Sequence, residues 1–416
     1  MIDYFFGIWV YEGSAKRKKF FLWLSILNNL VILFFFKYYN FFSVEFCTNL
    51  NHLGFHIKPY LINILLPLGI SFYTFHGISY VIDIYRGNFQ PIKKFTDYAL
   101  FVCFFPLLVA GPIERASHLL PQIVKKRQFN YQQAVQGMRL ILWGLIKKMV
   151  IADNLAPIVD DIFHNYKTYS GSTLVLGVIY FSIQIYGDFS GYSDIALGTA
   201  KLFGFELLSN FKFPYFSRNI AEFWRRWHIS LSSWFRDYLY IPLGGTRNGN
   251  LIAVRNTFII FLVSGFWHGA NLTFICWGAI HALLFLPLLL TNQNRKFTTE
   301  TVAYNRSVPT VRECIQMLLT FTFVSFAWIF FRSPTISMAF SFIKQISHGL
   351  FTMPSLKSFL FIYCIPFVLV DWHFRQNERV LVLPRNKIWR YSLYLIAIFL
   401  VVYNCNDNSS FIYFQF

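Results

Sequence analysis

Two histidines stand out because each lies among aromatic residues and either small or basic neighbours. His268 lies in the motif 264–271 (SGFWHGAN), at the end of the apolar run 254–267 and before another apolar run. An ionisable residue in that setting is a functional candidate by default. Desolvation favours a neutral imidazole, which can accept a proton from a hydroxyl that attacks an acyl carbonyl. The position indicates a general base, and a histidine that only hydrogen-bonds a backbone carbonyl is the alternative.

His228 closes the motif 222–228 (EFWRRWH), in the stretch with the densest set of aromatic, basic and histidine residues. At about 100° per residue, the segment 222–240 predicts one amphipathic helix at the membrane interface. His228 falls at the edge of its aromatic arc, facing inward. That arc holds Trp224, Trp227, Leu231, Trp234, Phe235 and Tyr238. A second site residue is one interpretation of His228, and an ordinary buried histidine is the other.

The remaining polar residues give weaker signals. His281 lies about 220° around a continuous helix from His268, so we expect it on another face. Asp188, Asp194 and Asp237 lack the spacing of a calcium or magnesium site, and no zinc-ligand pattern is present, so no metal site is predicted. Gly244-Gly245 is too short for a phosphate-binding loop, and no GxSxG elbow occurs.

Composition decides the class of protein that carries these residues. Of the 416 residues, 56% are hydrophobic and only 13% are charged, against about 25% in soluble proteins. The net charge of +18 comes from cations that flank apolar runs, as expected for contacts with membrane lipid, and it predicts no nucleic-acid partner. The six cysteines form no CxxC pair and indicate buried apolar positions. The chain is predicted to be a polytopic membrane protein.

The elements that must position the histidines are twelve apolar runs separated by short polar breaks. Several are shorter than the roughly 20 residues of a straight span, which indicates re-entrant or half-buried helices. We therefore predict an all-α, polytopic transmembrane fold with short or re-entrant helices around a central funnel or tunnel. The runs are 20–36, 60–82, 97–110, 135–151, 172–187, 192–204, 254–267, 272–290, 312–331, 337–350, 357–371 and 388–403.

Three polar stretches interrupt these runs. We predict a cytoplasmic loop at 115–130 and a solvated linker at 291–312. The third stretch, 209–255, contains His228 and is predicted to be an interfacial or re-entrant segment within a single membrane domain that spans 1–416.

The two histidine motifs resemble those of the membrane-bound O-acyltransferases, in particular the bacterial branch that O-acetylates polysaccharides. Further segments are similar to that branch in order along nearly the whole chain. They are 36–42 (FKYYNFF), 67–75 (PLGISFYTF), 111–115 (GPIER), 188–196 (DFSGYSDIA), 240–245 (YIPLGG) and 411–414 (FIYF). Such relatives carry about two more hydrophobic helices before the stretch that begins at Asp3, so the resemblance implies a truncated sequence, a start at an alternative methionine or a shorter branch of the family.

The resemblance implies roles for individual residues. His268 corresponds to the family's essential histidine and His228 to its second histidine, both facing a funnel or tunnel. Their flanking residues Arg226, Trp227, Trp267 and Asn271 are predicted to contact substrate.

The resemblance also implies the reaction. The donor would be acetyl-CoA from the cytoplasm, with no bound cofactor. The acetyl group would pass across the bacterial cytoplasmic (inner) membrane to a secreted or periplasmic SGNH-type acetyltransferase or esterase partner that modifies a polysaccharide such as alginate or peptidoglycan. A D-alanyl, lipid or protein acceptor, a transporter without covalent chemistry, and a scaffold for a catalytic partner remain alternatives.

Overall fold

The structure, a computed structural model, describes residues 1–63, 67, 69–109, 111–247, 249–354 and 361–405, and these contain helices and no strand. The motif at 411–414, and parts of the predicted runs 60–82, 97–110 and 357–371, lie outside the described residues. The helices are α1 Ile2–Glu12, α2 Ala15–Leu33, α3 Tyr39–His52, α4 Ile70–Tyr85, α5 Phe95–Val102, α6 Ala116–Val124, α7 Tyr131–Leu145, α8 Asp153–His164, α9 Gly171–Leu202, α10 Ile220–Arg226, α11 Ile229–Phe235, α12 Asn250–His268, α13 Leu272–Leu290, α14 Val311–Arg332, α15 Ile336–Ile346, α16 Phe361–Phe374 and α17 Lys387–Tyr403.

The chain forms two compact units, Met1–Gln128 and Phe129–Phe416. In the first unit α1, α2 and α4 pack together, and the buried carboxylate of Asp3 accepts hydrogen bonds from Ser25 and Asn29. In the second unit α7 packs along α9, α12 packs against α13, and α13 packs against α14. Both histidine motifs belong to the second unit.

Five helical segments of the described chain are long and apolar enough to cross a membrane, which confirms the prediction of an all-helical multi-pass protein. They are Ala15–His52, Gly171–Leu202, Asn250–His268, Leu272–Leu290 and Val311–Arg332. Three shorter apolar helical segments accompany them, at Phe95–Leu107, Ile336–Ile346 and Phe361–Phe374. The central funnel stays a prediction.

One long helix replaces two of the predicted runs. The runs 172–187 and 192–204 are joined in α9, 32 residues long, although Asp188 and Asp194 lie in its second half. Lys148 Nζ lies 2.8 Å from Asp188 Oδ1, and Lys147 Nζ lies 2.9 Å from Asp194 Oδ2. Because each carboxylate has a cationic partner on the neighbouring chain segment, the helix continues through both aspartates.

The interfacial segment corrects the prediction of one helix over 222–240. The chain is helical to Arg226, leaves the helix at Trp227, and starts again at Ile229, with His228 at φ 42° and ψ 54°. Left-handed backbone is uncommon for a residue other than glycine, and it stops the helix here. Most of the predicted aromatic arc is buried inside the protein, including Trp227, Leu231, Trp234 and Phe235.

Candidate active site

His268 is positioned by a tight helical hairpin. It is the last residue of α12, and α13 begins four residues later with the Asn271 side chain accepting from Thr273 N at 3.0 Å. Gly265 and Gly278 allow the two helices to touch, because a Cβ on either would collide with a backbone carbonyl oxygen of the other helix (Phe274 and Phe261). The hairpin therefore fixes the direction in which the imidazole leaves α12.

His228 is positioned by contacts with a distant part of the chain rather than by a regular element. Ile229 N donates to Asn210 O at 2.9 Å, and Lys212 N donates to Arg226 O at 3.0 Å. These bonds satisfy backbone groups that the break in the helix would otherwise leave without partners. The segment 210–212 thus stabilises the left-handed conformation that turns the His228 side chain into the protein.

An aromatic wall connects the two histidine motifs. We use that name for Trp227, Trp328 and Trp277 together. Trp227 packs on Trp328 at 5.2 Å between ring centroids, Trp328 stacks on Trp277 at 5.6 Å, and Trp277 meets His268 edge-on at 5.3 Å. The two histidines, forty residues apart in sequence, are close enough that His268 affects the titration of His228. The structure therefore brings both predicted catalytic residues into one buried region.

His228 is 2% exposed and hydrogen-bonded at one ring nitrogen. Its Nδ1 lies 2.9 Å from Asn210 Oδ1, and its ring meets Phe189 edge-on at 4.7 Å. Burial among these groups and the nearby His268 hold the pKa of His228 well below its ordinary value, since both disfavour the imidazolium form. His228 lies outside the five candidate spans, and its surroundings favour the neutral imidazole.

His281 joins the same aromatic region, although the helical angle predicted a different face from His268. Trp224 Nε1 donates to His281 Nδ1 at 3.3 Å, and the imidazole lies 4.8 Å from the Trp277 ring. That bond anchors α13 to α10. His281 Nδ1 therefore has a structural role, while its Nε2 is buried without a hydrogen-bond partner inside the protein.

A buried carboxylate organises the arginines beside the helix break. Glu222 is 0% exposed and accepts hydrogen bonds from Arg218 Nη2 at 3.0 Å and from Arg226 Nη2 at 2.8 Å. Both arginines also donate to the backbone carbonyl of Glu300, at 2.8 and 3.2 Å. The solvated linker predicted at 291–312 is therefore wrong in its central part, because Glu300 is held by arginines and the next residues, Val302 and Ala303, are buried.

A cavity of about 370 Å³ lies against this arginine group. We call it the basic cavity, because five cationic residues line it and Glu378 is its one acidic lining residue among those described. The cations are Lys212, Arg225, Arg226, Arg236 and Arg375. Arg226 and Ile229, which flank the helix break, also contribute to the lining. The cavity can hold an anionic ligand directly beside the segment that carries His228.

The four predicted substrate contacts lie in different surroundings. Arg226 lines the basic cavity, and Trp227 belongs to the aromatic wall. Trp267 is buried next to His268, while the Asn271 amide donates to Pro334 O at 2.8 Å and caps α13. No substrate role of these residues is tested by the geometry, and each stays a prediction.

Two residues of the site were missed by the sequence analysis. Asn210 and Glu222 are buried and bond the histidine and arginine side chains. Asn210 lies in no motif, and Glu222 begins the motif 222–228 but was given no role there. Among the described residues, no group of three His, Cys, Asp or Glu side chains is placed to hold a metal ion. Asp188 and Asp194, considered as cation ligands, bind lysines instead.

Comparison with known proteins gives consistent similarities. Residues 92–326 match the membrane-bound O-acyltransferase family. The chain is 39% identical over 340 residues to the probable alginate O-acetylase AlgI of Pseudomonas syringae pv. tomato, covering 81% of this chain and 62% of that protein. It is 36% identical over 371 residues to the peptidoglycan O-acetyltransferase of Helicobacter pylori, covering 83% and 68%. A teichoic acid D-alanyltransferase of Bacillus subtilis is 28% identical over 295 residues, covering 68% and 72%. The chain thus spans less than two thirds of the length of the first of these relatives.

Proposed function

Since the chain belongs to the membrane-bound O-acyltransferase family, we propose that it is an O-acetyltransferase of the bacterial inner membrane. It takes an acetyl group from acetyl-CoA on the cytoplasmic side and passes it across the membrane for O-acetylation of a polysaccharide such as alginate or peptidoglycan. A secreted SGNH-type partner completes the transfer to the polysaccharide.

The observation that carries this proposal is the meeting of His228 and His268 in one buried aromatic region. In the reaction, an acceptor hydroxyl oxygen bonds to the acetyl carbon as the thioester C–S bond breaks. His268 accepts the hydroxyl proton and returns it to the leaving thiolate, and His228 assists. General-base catalysis of this kind contributes roughly 10²–10⁴ in rate.

The basic cavity supports an anionic donor. Acetyl-CoA carries phosphates, and guanidinium groups such as those of Arg225 and Arg226 bind phosphates through charge-assisted hydrogen bonds. Arg225 Nε is buried without a hydrogen-bond partner inside the protein, as expected for a group that a ligand satisfies. Transfer of a D-alanyl group, as in the teichoic acid D-alanyltransferase that the chain resembles more distantly, is the competing assignment.

The test measures base-labile acetate on surface polysaccharide in cells that lack the gene. The cells are complemented with the wild-type protein, His268→Ala or His348→Ala at matched membrane levels. His348 has an exposed side chain remote from both histidine motifs in sequence and serves as the control. We expect the wild type and His348→Ala to restore acetate, and His268→Ala to fail.

Three other outcomes would contradict the proposal. Restoration by His268→Ala would remove that histidine from the chemistry. No change of acetate in any strain, together with a loss of D-alanyl ester, would replace acetyl by D-alanyl as the transferred group. A purified protein that neither transfers nor hydrolyses the acetyl group of acetyl-CoA, yet supports export of a substrate, would indicate a transporter.

A further inference from the structure

Asn210 forms hydrogen bonds to three parts of the structure around the helix break. Its backbone carbonyl accepts from Ile229 N at 2.9 Å, and its side-chain Nδ2 donates to Ser193 Oγ on α9 at 3.2 Å. Its Oδ1 lies 2.9 Å from His228 Nδ1 and accepts from Ser230 Oγ, also at 2.9 Å. One buried amide therefore ties α9, the break and the start of α11 to the imidazole of His228.

The bond to Asn210 determines which ring nitrogen of His228 carries the proton. In this orientation of the amide, Oδ1 can only accept, so Nδ1 must be the donor. A neutral imidazole has a single N–H, which leaves the lone pair on Nε2. With its one proton engaged by Asn210, neutral His228 can accept a hydrogen bond at Nε2 but has no hydrogen to donate there.

We propose that Asn210 is a positioning residue that fixes His228 as a hydrogen-bond acceptor in the active site. The inference rests on the proposed function and deepens it, because that function leaves the assisting role of His228 open. His228 then helps by accepting a hydrogen bond through Nε2 from the N–H of neutral His268, whose other ring nitrogen stays free to take the proton of the acceptor hydroxyl. It does not stabilise the negative charge on the carbonyl oxygen by donating a proton to it.

The surroundings of His228 leave few groups that could substitute for Asn210. Phe189 of α9 and Phe211 pack on the ring and carry no charge. His268, on α12, is the titratable neighbour whose charge acts on His228. Asn210 and Ser230 supply the neutral polar contacts. A carboxylate placed at position 210 would therefore be the nearest anion to the imidazole.

The experiment compares Asn210→Asp and Asn210→Ala in the full-length protein, reconstituted in lipid vesicles with acetyl-CoA as donor. In Asn210→Asp a carboxylate oxygen still accepts from Nδ1 and raises the pKa of His228, by one unit or more for a carboxylate at hydrogen-bond distance. We expect this variant to keep measurable activity, with the acidic limb of its kcat/KM profile shifted to higher pH by about one unit or more.

Asn210→Ala leaves Nδ1 without its acceptor, so the ring is no longer held in one tautomer. We expect kcat of the folded protein to fall by about tenfold, the effect of roughly one lost hydrogen bond to a buried group, with the KM for acetyl-CoA unchanged. Asn154→Ala is the matched control, because Asn154 bonds Asn404 and the backbone of Val150 and not the site. A profile of Asn210→Asp that superimposes on the wild type, or a folded Asn210→Ala with wild-type kcat, would overturn the proposal.

A spectroscopic readout separates this inference from the proposed function. In ¹⁵N-histidine spectra of the wild type, the resonance lost in His228→Gln identifies the ring, and we expect it to show protonated Nδ1 and unprotonated Nε2. The opposite tautomer would refute the role of Asn210 even if acetyl transfer is found. The expected tautomer in a protein without acetyl transfer would refute the proposed function alone.

Discussion

His268 and His228 reach the same buried region by two different kinds of structure. His268 ends a regular 19-residue helix, and a second 19-residue helix follows almost directly, held against the first at Gly265 and Gly278. His228 occupies a left-handed break between two helices of seven residues each. The first histidine is placed by the geometry of its own hairpin, whereas the second depends on Asn210 and Lys212.

This difference in structural support suggests that the two histidines have different roles. A base that takes a proton from the substrate gains from a rigid support, since small errors in position are costly in rate. A left-handed residue other than glycine stores strain that its surroundings must offset, and such residues concentrate at functional sites. In the proposed function, the hairpin therefore holds the general base, and the break brings a second imidazole to it along with the lining of the basic cavity.

The largest expected effect is a loss of kcat, and it tests which of the two histidines contributes more to catalysis. Purified His268→Ala should lose at least tenfold, and up to about 10⁴-fold, in kcat for acetyl transfer, because the substitution removes the proposed general base. His228→Ala should lose less, since an assisting acceptor is removed while the base remains. The measurement is steady-state acetyl transfer at matched folded protein, with His348→Ala as the control. Equal losses of kcat in both variants would show that the two histidines do not differ in their contribution to catalysis.

A second prediction concerns the hairpin alone. Gly265→Val places a branched side chain where even a Cβ would collide with Phe274 O, so the helices must separate. Overpacking of this kind costs about 1–3 kcal/mol of stability. Thermal inactivation in detergent should move to lower temperature, and kcat should fall with it because His268 moves. Ala279→Val, next to Gly278 on α13 but only partly buried, is the control. An unchanged Gly265→Val protein would show that the hairpin does not depend on close contact.

The bounds of α13 and α14 could be predicted from the sequence for a physical reason. The predicted run 272–290 coincides with α13, and 312–331 differs from α14 by one residue at each end, because a spanning helix satisfies its own backbone hydrogen bonds. The motif histidines were singled out because their aromatic and glycine neighbours are visible in the sequence, and their catalytic roles stay predictions.

The break and its support could not be found in the same way. The helical periodicity of 222–240 continues through Trp227 and His228 without a proline or glycine, so nothing local marks an interruption. Residues 210–212 stabilise the interruption through hydrogen bonds to residues far along the chain. Lys212 and Arg226 are fourteen positions apart in sequence, and the other partners are sixteen or more positions apart. Likewise, the run 172–187 was predicted to end before Asp188, because the lysine partner of that aspartate belongs to another segment.

The smallest expected effect is on the free energy of unfolding. Glycine and alanine variants should rank in opposite orders at positions 228 and 268. At position 228 the backbone is left-handed, where glycine carries no Cβ penalty, so His228→Gly should be more stable than His228→Ala by about 1 kcal/mol. At position 268 the backbone ends a regular α-helix, where alanine is the better residue, so His268→Ala should be more stable than His268→Gly by up to about 1 kcal/mol. All four variants lack the imidazole, so the comparison isolates the backbone from the chemistry. The free energy difference within each pair is measured by thermal or denaturant unfolding in the same detergent. If glycine and alanine rank alike at both positions, the strain assigned to the His228 break is absent, and the contrast between the two histidines reduces to their side-chain contacts.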